Sequence, residues 1–342
     1  MDTLNYRAPW WLPGGNLQTI WAAVKAVRFV GDKPTFTRAR WTTPDHDFID
    51  VDTLVPAAPL PVSTAGRMQN NAKSAPPLLV VFHGLEGSSA SHYAEAFAGV
   101  ARQRGWGCAV PHFRGCSGEI NLAPRAYHSG DFEEIDWILK RFAAQHAGPL
   151  VAVGISLGGN ALMRWAAESG AQAHAVVAAV ASVCSPLDLA ASGWAIGRGF
   201  NRLVYTRMFL KSMVPKALQK LEQHPGLFDR DRLLAARDLY TFDNIFTAPV
   251  HGFKDTDDYW LRASAKPHLH RIAVPALVLN AHNDPFIPAS SLPRADSVGP
   301  HVALWQPAEG GHVGFPAAPR QGLGAHVCQM PQAVTGFLAA QL

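Results

Sequence analysis

The run Gly154-Ile155-Ser156-Leu157-Gly158 follows an apolar segment at 150–153 and precedes a segment with helical spacing at 157–169. At a sharp strand-to-helix turn a serine hydroxyl is lifted above the edge of a sheet, and small residues two positions to either side let the chain turn there. The turn also leaves the Leu157 amide at a helix N-terminus, where an unpaired N–H and the helix dipole favour a developing negative charge. Taken alone, the pattern also fits an ordinary glycine-rich helix start in a chain with 29 glycines. A second run, His83-Gly84-Leu85-Glu86-Gly87, follows the apolar segment 78–82. A Gly-rich loop at that place supplies the other donor an oxyanion needs, and the Leu85 amide is the one expected. His83 precedes the turn and reads as a structural residue that bonds neighbouring backbone.

A serine hydroxyl is a weak nucleophile at neutral pH, so it needs a base, and the base needs an orienting carboxylate. Two late loops offer them. Asp284 sits in Asn280-Ala281-His282-Asn283-Asp284-Pro285 after the apolar segment 276–279, and His312 sits in Glu309-Gly310-Gly311-His312 after 301–305. Plainer readings exist for both: Asp284 before Pro285 suits a turn start, and His312 is one of 15 histidines. Asp188 is the competing acid, and Asp284 is preferred because its loop precedes the histidine strand. The expected catalytic set is therefore Ser156, Asp284 and His312, with Leu85 and Leu157 as oxyanion donors. His282 and Asp284 match no metal-ligand spacing, and no nucleotide-phosphate loop occurs, so no metal and no cofactor are expected.

These groups need elements to carry them. Buried-type runs at 78–82, 107–111, 150–155, 175–183, 275–281 and 301–305 alternate with helix-like segments at 92–104, 130–146, 157–169 and 328–342. That rhythm predicts an α/β fold with a mostly parallel central sheet flanked by helices. Ahead of it, residues 1–55 predict an aromatic arm (Trp10, Trp11, Trp21), a short helix and two antiparallel edge strands at 35–41 and 48–55. Residues 56–77, poor in large apolar side chains, predict a flexible loop. The core then runs over 78–185 and 268–342, interrupted by a helical cap or lid at 186–267. Within the cap, 189–221 carries six bases (Arg198, Arg202, Arg207, Lys211, Lys216 and Lys220) and no acid. Two readings are open: a surface that contacts lipid, or a cap whose bases answer the later acids Asp229, Asp231, Asp238, Asp243, Asp255, Asp257 and Asp258.

Composition narrows the classes. With 342 residues, 48% of them apolar, the chain has material for a large core, which excludes extended disorder. Only 16% of residues are charged, the net charge is +4, and no run of five like charges occurs, so a nucleic-acid partner is not expected. Cys108, Cys116, Cys184 and Cys328 show no paired spacing and read as reduced thiols. The longest apolar stretch, 175–181, is far short of the ~18 residues of a membrane span, and a cytoplasmic, soluble protein is expected.

The motifs in this order resemble the YheT-like branch of the α/β-hydrolases. They are Gly15-Asn16-Leu17-Gln18-Thr19, His83 to Ser88, Phe113-Arg114-Gly115-Cys116-Ser117-Gly118, Tyr127-His128-Ser129-Gly130, Gly154 to Asn160, Phe242 to Pro249 with Gly252-Phe253, Asn280 to Pro285, and Gly310 to Gly314. The resemblance implies the α/β-hydrolase fold, Ser156 as nucleophile with Asp284 and His312 as relay partners, and acyl-ester hydrolysis. The basic, aromatic cap and the aromatic arm point to a medium or longer acyl chain on a small-molecule ester. Two alternatives share these residues: acyl transfer to an alcohol through the same acyl-enzyme, and a non-catalytic protein that binds a ligand in the same fold.

Overall fold

Near-continuous runs of Val, Leu, Ile and Ala suit strands buried on both faces, and the computed structural model, which describes residues 5–55, 75–319 and 324–342, places them in one sheet. Most of the loop expected at 56–77 lies outside the described residues. The sheet has eight strands: β1 (Phe36–Thr42), β2 (Phe48–Leu54), β3 (Leu78–Phe82), β4 (Gly107–Pro111), β5 (Leu150–Ile155), β6 (Ala179–Val183), β7 (Ala276–Leu279) and β8 (Val302–Trp305). Their spatial order is β1-β2-β4-β3-β5-β6-β7-β8. Pairing is antiparallel between β1 and β2 and between β2 and β4, and parallel across the other six strands.

Side chains alternate across a strand, so the sheet divides its apolar residues between two cores. On one face Val80, Ala109, Ala152, Val180 and Val278 pack under the helices Phe132–Gln145 and Leu157–Ser169. On the other, Leu79, Val81, Val110, Val153 and Leu277 pack under the helices His92–Gln103 and Gln329–Ala339. Helix α1 (Gly15–Val24) lies near the start of the chain. The apolar run expected as one strand over 175–183 is strand only from Ala179 to Val183: Ala175 ends the 3-10 helix Gly170–Ala175, and 176–178 turn into the strand. Gly170 takes φ 50, which ends the preceding helix, and the short Ala-rich stretch after it closes a tighter turn before the strand begins.

Between β6 and β7 lie helices including Leu189–Ile196, Arg207–Gln223, Arg230–Ala235 and Thr256–Ala263. The later acids of this segment do not answer the bases of 189–221: Asp258 pairs with Arg262, and Asp188 with Lys266. Asp188, Asp229, Asp238 and Asp255 each accept the backbone N–H three residues on and so cap a helix. Among the described residues Arg198, Arg202, Arg207 and Lys211 have no ion-pair partner, while Lys216 reaches out of the segment to Glu86 at 2.8 Å.

Candidate active site

The sequence Val153-Gly154-Ile155-Ser156 ends β5, and the turn into the next helix is sharp because Ser156 adopts φ 52, ψ −120. That conformation is costly for a residue with a Cβ. It is held by the Ser156 amide, which donates to the Val183 carbonyl at 2.9 Å. Glycine is required around it: a Cβ on Gly158 would strike the His83 and Phe82 carbonyls, and one on Gly154 would strike the Gly158–Gly159 backbone.

Asp284 follows β7 and His312 follows β8, so both loops rise from the same carboxyl edge as Ser156. His312 Nε2 stands 3.0 Å from Ser156 Oγ, and His312 Nδ1 stands 2.9 Å from Asp284 Oδ2. A carboxylate can only accept, so Nδ1–H donates to Asp284 and Nε2 is left to accept from the serine hydroxyl. The other Asp284 oxygen accepts the Phe286 amide at 2.8 Å, and its side chain is fully buried. The Phe286 ring packs on His312 with centroids 4.2 Å apart. Asp188, the competing acid, caps a helix and pairs with Lys266 at 3.3 Å instead.

Opposite the serine, the loop after β3 turns at Gly84-Leu85-Glu86-Gly87. The Gly84 amide donates to Tyr93 Oη, the Glu86 amide to Tyr127 Oη and the Gly87 amide to the Gly84 carbonyl, at 2.9 to 3.0 Å. Leu85 is the one residue of this turn whose amide has no acceptor among the described residues, and the Leu157 amide likewise has none. His83 is wholly buried: Nδ1–H donates to the Gly84 carbonyl, Nε2 accepts the Phe113 amide, and burial lowers its pKa to about 3, so it stays neutral.

Several residues hold the His312 loop that reasoning from spacing did not single out. Gln18, buried in α1, accepts the Gly310 amide and the Asn283 side-chain amide through Oε1. Thr19 Oγ1 accepts the His312 amide at 2.8 Å and donates to the Gly15 carbonyl. Asn283 Oδ1 accepts the Gly311 amide. His92, neutral because burial brings its pKa down to about 4, donates to the Val313 carbonyl. The signal was present as Gly15-Asn16-Leu17-Gln18-Thr19, but local spacing does not reveal a partner some 290 residues away.

Atoms of Cys184, Asp284 and His312 able to ligate a metal lie within 4.8 Å of one another. Two of the three groups already bond to each other, and burial first, then the nearby Asp284 charge, pushes the Cys184 thiol well up, so it keeps its proton. A cleft of about 1150 Å³, counting its open mouth, lies over Ser156 and His312. Its wall includes Leu189, Ile196, Phe209, Met213, Phe242, Phe246 and Ile287 from the segments on both sides.

A profile of the alpha/beta hydrolase fold matches residues 77–319. The chain belongs to the α/β-hydrolase family, in its YheT-like branch. YheT of Escherichia coli (strain K12), named as a candidate esterase, is 39% identical over 81% of this chain and 77% of its own length. Phospholipase ABHD3 of Mus musculus is 30% identical over 70% of this chain, which spans only 58% of that relative. Among solved structures, a puromycin-hydrolyzing peptidase of Mycobacterium tuberculosis superposes with TM-score 0.55 at 20% identity, covering 90% of this chain and 39% of that one, a likeness of fold.

Proposed function

We propose that the chain is a serine carboxylic-ester hydrolase in which Ser156, His312 and Asp284 act as nucleophile, general base and orienting acid. The reading rests on one observation, the hydrogen-bonded series Ser156–His312–Asp284 at 3.0 and 2.9 Å in a cleft that Leu85 and Leu157 also line. Ser156 Oγ attacks the acyl carbonyl while His312 Nε2 takes its proton, and the two amides bind the oxyanion. His312 then gives that proton to the leaving alcohol. Water, deprotonated by His312 in turn, releases the acid from Ser156. Asp284 keeps Nδ1 protonated and stabilises the imidazolium. The esterase and phospholipase names of the relatives agree with this class of substrate.

The apolar cleft wall favours a medium or longer acyl chain, since each buried CH₂ adds about 0.8 kcal/mol. On p-nitrophenyl esters from acetate to palmitate, kcat/KM rises beyond acetate, and Ser156→Ala lowers kcat on the order of 10⁶-fold. A steady fall beyond acetate contradicts the chain-length assignment, and full activity in Ser156→Ala contradicts the nucleophile.

The same reading extends to where the ester is met. Leu203 (59% exposed), Met208 (55%) and Phe200 (50%) lie in the same stretch as the unpaired Arg198, Arg202, Arg207 and Lys211, and Trp10 of the arm is 91% exposed. The arm and the cap are tied by Tyr205 Oη to Asn16 Oδ1 at 2.9 Å, and Tyr205 packs on Phe286, which packs on His312. Apolar side chains among unopposed cations fit an anionic lipid surface. Co-sedimentation with vesicles containing phosphatidylglycerol, weakened by salt and by Leu203→Glu, is the expected result, and equal partitioning to neutral vesicles contradicts it.

A further inference from the structure

Glu86 occupies a position in its turn that normally falls to glycine. Its φ is 57, and the turn closes with the Gly87 amide on the Gly84 carbonyl. A side chain at such a φ is disfavoured unless its surroundings hold it there. Both carboxylate oxygens are held: Tyr127 Oη donates to Oε1 at 2.9 Å and Lys216 Nζ reaches Oε2 at 2.8 Å. Tyr127 Oη also accepts the Glu86 amide, so one phenol grips the residue at backbone and side chain together. Burial raises the Tyr127 hydroxyl well above its ordinary pKa, which keeps its proton available for that bond. Tyr127 and Glu86 belong to the core; Lys216 comes from the helix Arg207–Gln223 that lies over the cleft.

The arrangement also has an electrostatic sense. Glu86 follows directly on Leu85, which lines the cleft together with Ser156 and whose amide, with no acceptor among the described residues, is the oxyanion donor of the proposed function. An uncompensated carboxylate beside that amide opposes the oxyanion, and a low-dielectric cleft strengthens the opposition. Lys216 cancels the charge and fixes the turn by the same contact. Its ammonium also stands 3.9 Å from the Cys116 thiol, but among acids its partner is Glu86.

We propose that Lys216 is a positioning residue that holds the oxyanion turn through Glu86, so that seating the helix Arg207–Gln223 over the cleft and completing the oxyanion site are a single event. The proposal rests on the ester-hydrolase reading with Ser156 as nucleophile. When the helix lifts, the Lys216–Glu86 contact opens, the turn loosens and the carboxylate is left unopposed next to the Leu85 amide. When the helix seats, both effects reverse.

The test is a set of variants assayed on one p-nitrophenyl ester beside Ser156→Ala. Lys216→Ala lowers kcat about tenfold, a fraction of what losing a whole oxyanion donor costs, with KM within about twofold. It weakens a trifluoromethyl ketone, which mimics the oxyanion, by the same factor. Lys216→Arg keeps the charge and retains wild-type kcat. The double variant Glu86→Gln/Lys216→Ala is faster than Lys216→Ala alone, because the amide still accepts from Tyr127 and no longer carries charge. A lysine that merely packs gives additive losses and no such recovery. Unchanged kcat in Lys216→Ala, or a double variant no faster than the single, overturns the proposal while leaving the nucleophile in place. Activity that survives Ser156→Ala overturns the hydrolase reading and the proposal with it.

Discussion

Ser156 sits in a backbone conformation that few residues other than glycine adopt, and the chain accepts that cost at a position where the hydroxyl meets an imidazole. The partners of His312 order its ring: Nδ1 faces the Asp284 carboxylate, which can accept, and Nε2 faces the serine hydroxyl, which can donate. Replacing Asp284 by Asn leaves the shape nearly intact but lets the side-chain amide donate to Nδ1, which favours the opposite tautomer. Asp284→Asn therefore lowers kcat by roughly 10⁴-fold with little change in melting temperature, as measured by steady-state kinetics and thermal unfolding. Wild-type turnover in that variant removes Asp284 from the mechanism. At this scale the sequence was informative for residues whose neighbours repeat a local pattern, such as Ser156 among its glycines. It was silent on the contact of Tyr127 and Lys216 with Glu86, because nothing near those residues in the chain marks it.

The elements that carry these groups differ in how far their own sequence specifies them. Strands such as Leu150–Ile155 and helices such as Leu157–Ser169 follow from apolar runs and spacing, since burial on both faces leaves little choice. The start of the run before β6 misled because Val176, Val177 and Ala178, apolar like strand residues, form the turn that leads from the 3-10 helix into the strand. Of the two readings open for 189–221, pairing of its arginines with the later acids is not formed among the described residues: Asp229, Asp238 and Asp255 accept backbone N–H groups at helix starts, and Asp258 pairs with Arg262 instead. Helix α1 is the clearest case of an element whose purpose lies elsewhere. Gln18 and Thr19 are buried and spend their side chains on the backbone of the His312 loop. Gln18→Ala frees the Gly310 and Asn283 groups and lets that loop shift, which lowers kcat roughly 10²-fold if the displacement approaches 1 Å. Kinetics on the folded variant check this, and an unchanged kcat shows that the loop holds itself. A Cβ on Gly15 would run into the Asn283 carbonyl, so Gly15→Ala destabilises the same junction by about 1–3 kcal/mol in denaturant melts.

Across the whole molecule, carboxyls that the fold shifts respond to pH in opposite senses. On the antiparallel edge, burial alone raises Asp52, but hydrogen bonds from Arg38 and Ser89 and the charges of His112 and Arg38 outweigh it and hold the carboxyl down to about 2. Asp45 is likewise brought to about 2: burial opposes ionisation and the Arg114 and Thr43 hydrogen bonds prevail. Their contribution is present above the unfolded value of 3.8 and is lost as pH falls toward 2. Asp243 behaves in reverse. Burial pushes it up to about 6, only partly offset by hydrogen bonds to Thr247 and Trp260, so its contribution is full below 3.8 and is lost as pH rises through 6. Asp243→Asn therefore raises the melting temperature relative to wild type more at pH 8 than at pH 4.5. A difference independent of pH contradicts the assignment. No described helix is long and apolar enough to cross a membrane. The alternation of strands and helices made the general architecture legible, whereas the two-part surface of arm and cap was not, because it forms only when residue 16 meets residue 205.

The central claim is that one hydroxyl of this chain is activated by one imidazole to form an acyl-enzyme. Intact-protein mass spectrometry after treatment with a fluorophosphonate tests it most directly. A single adduct per chain is expected, mapped to the peptide containing Ser156, absent in Ser156→Ala and much slower to form in His312→Ala. An adduct on another residue, or undiminished labelling of Ser156→Ala, would contradict it.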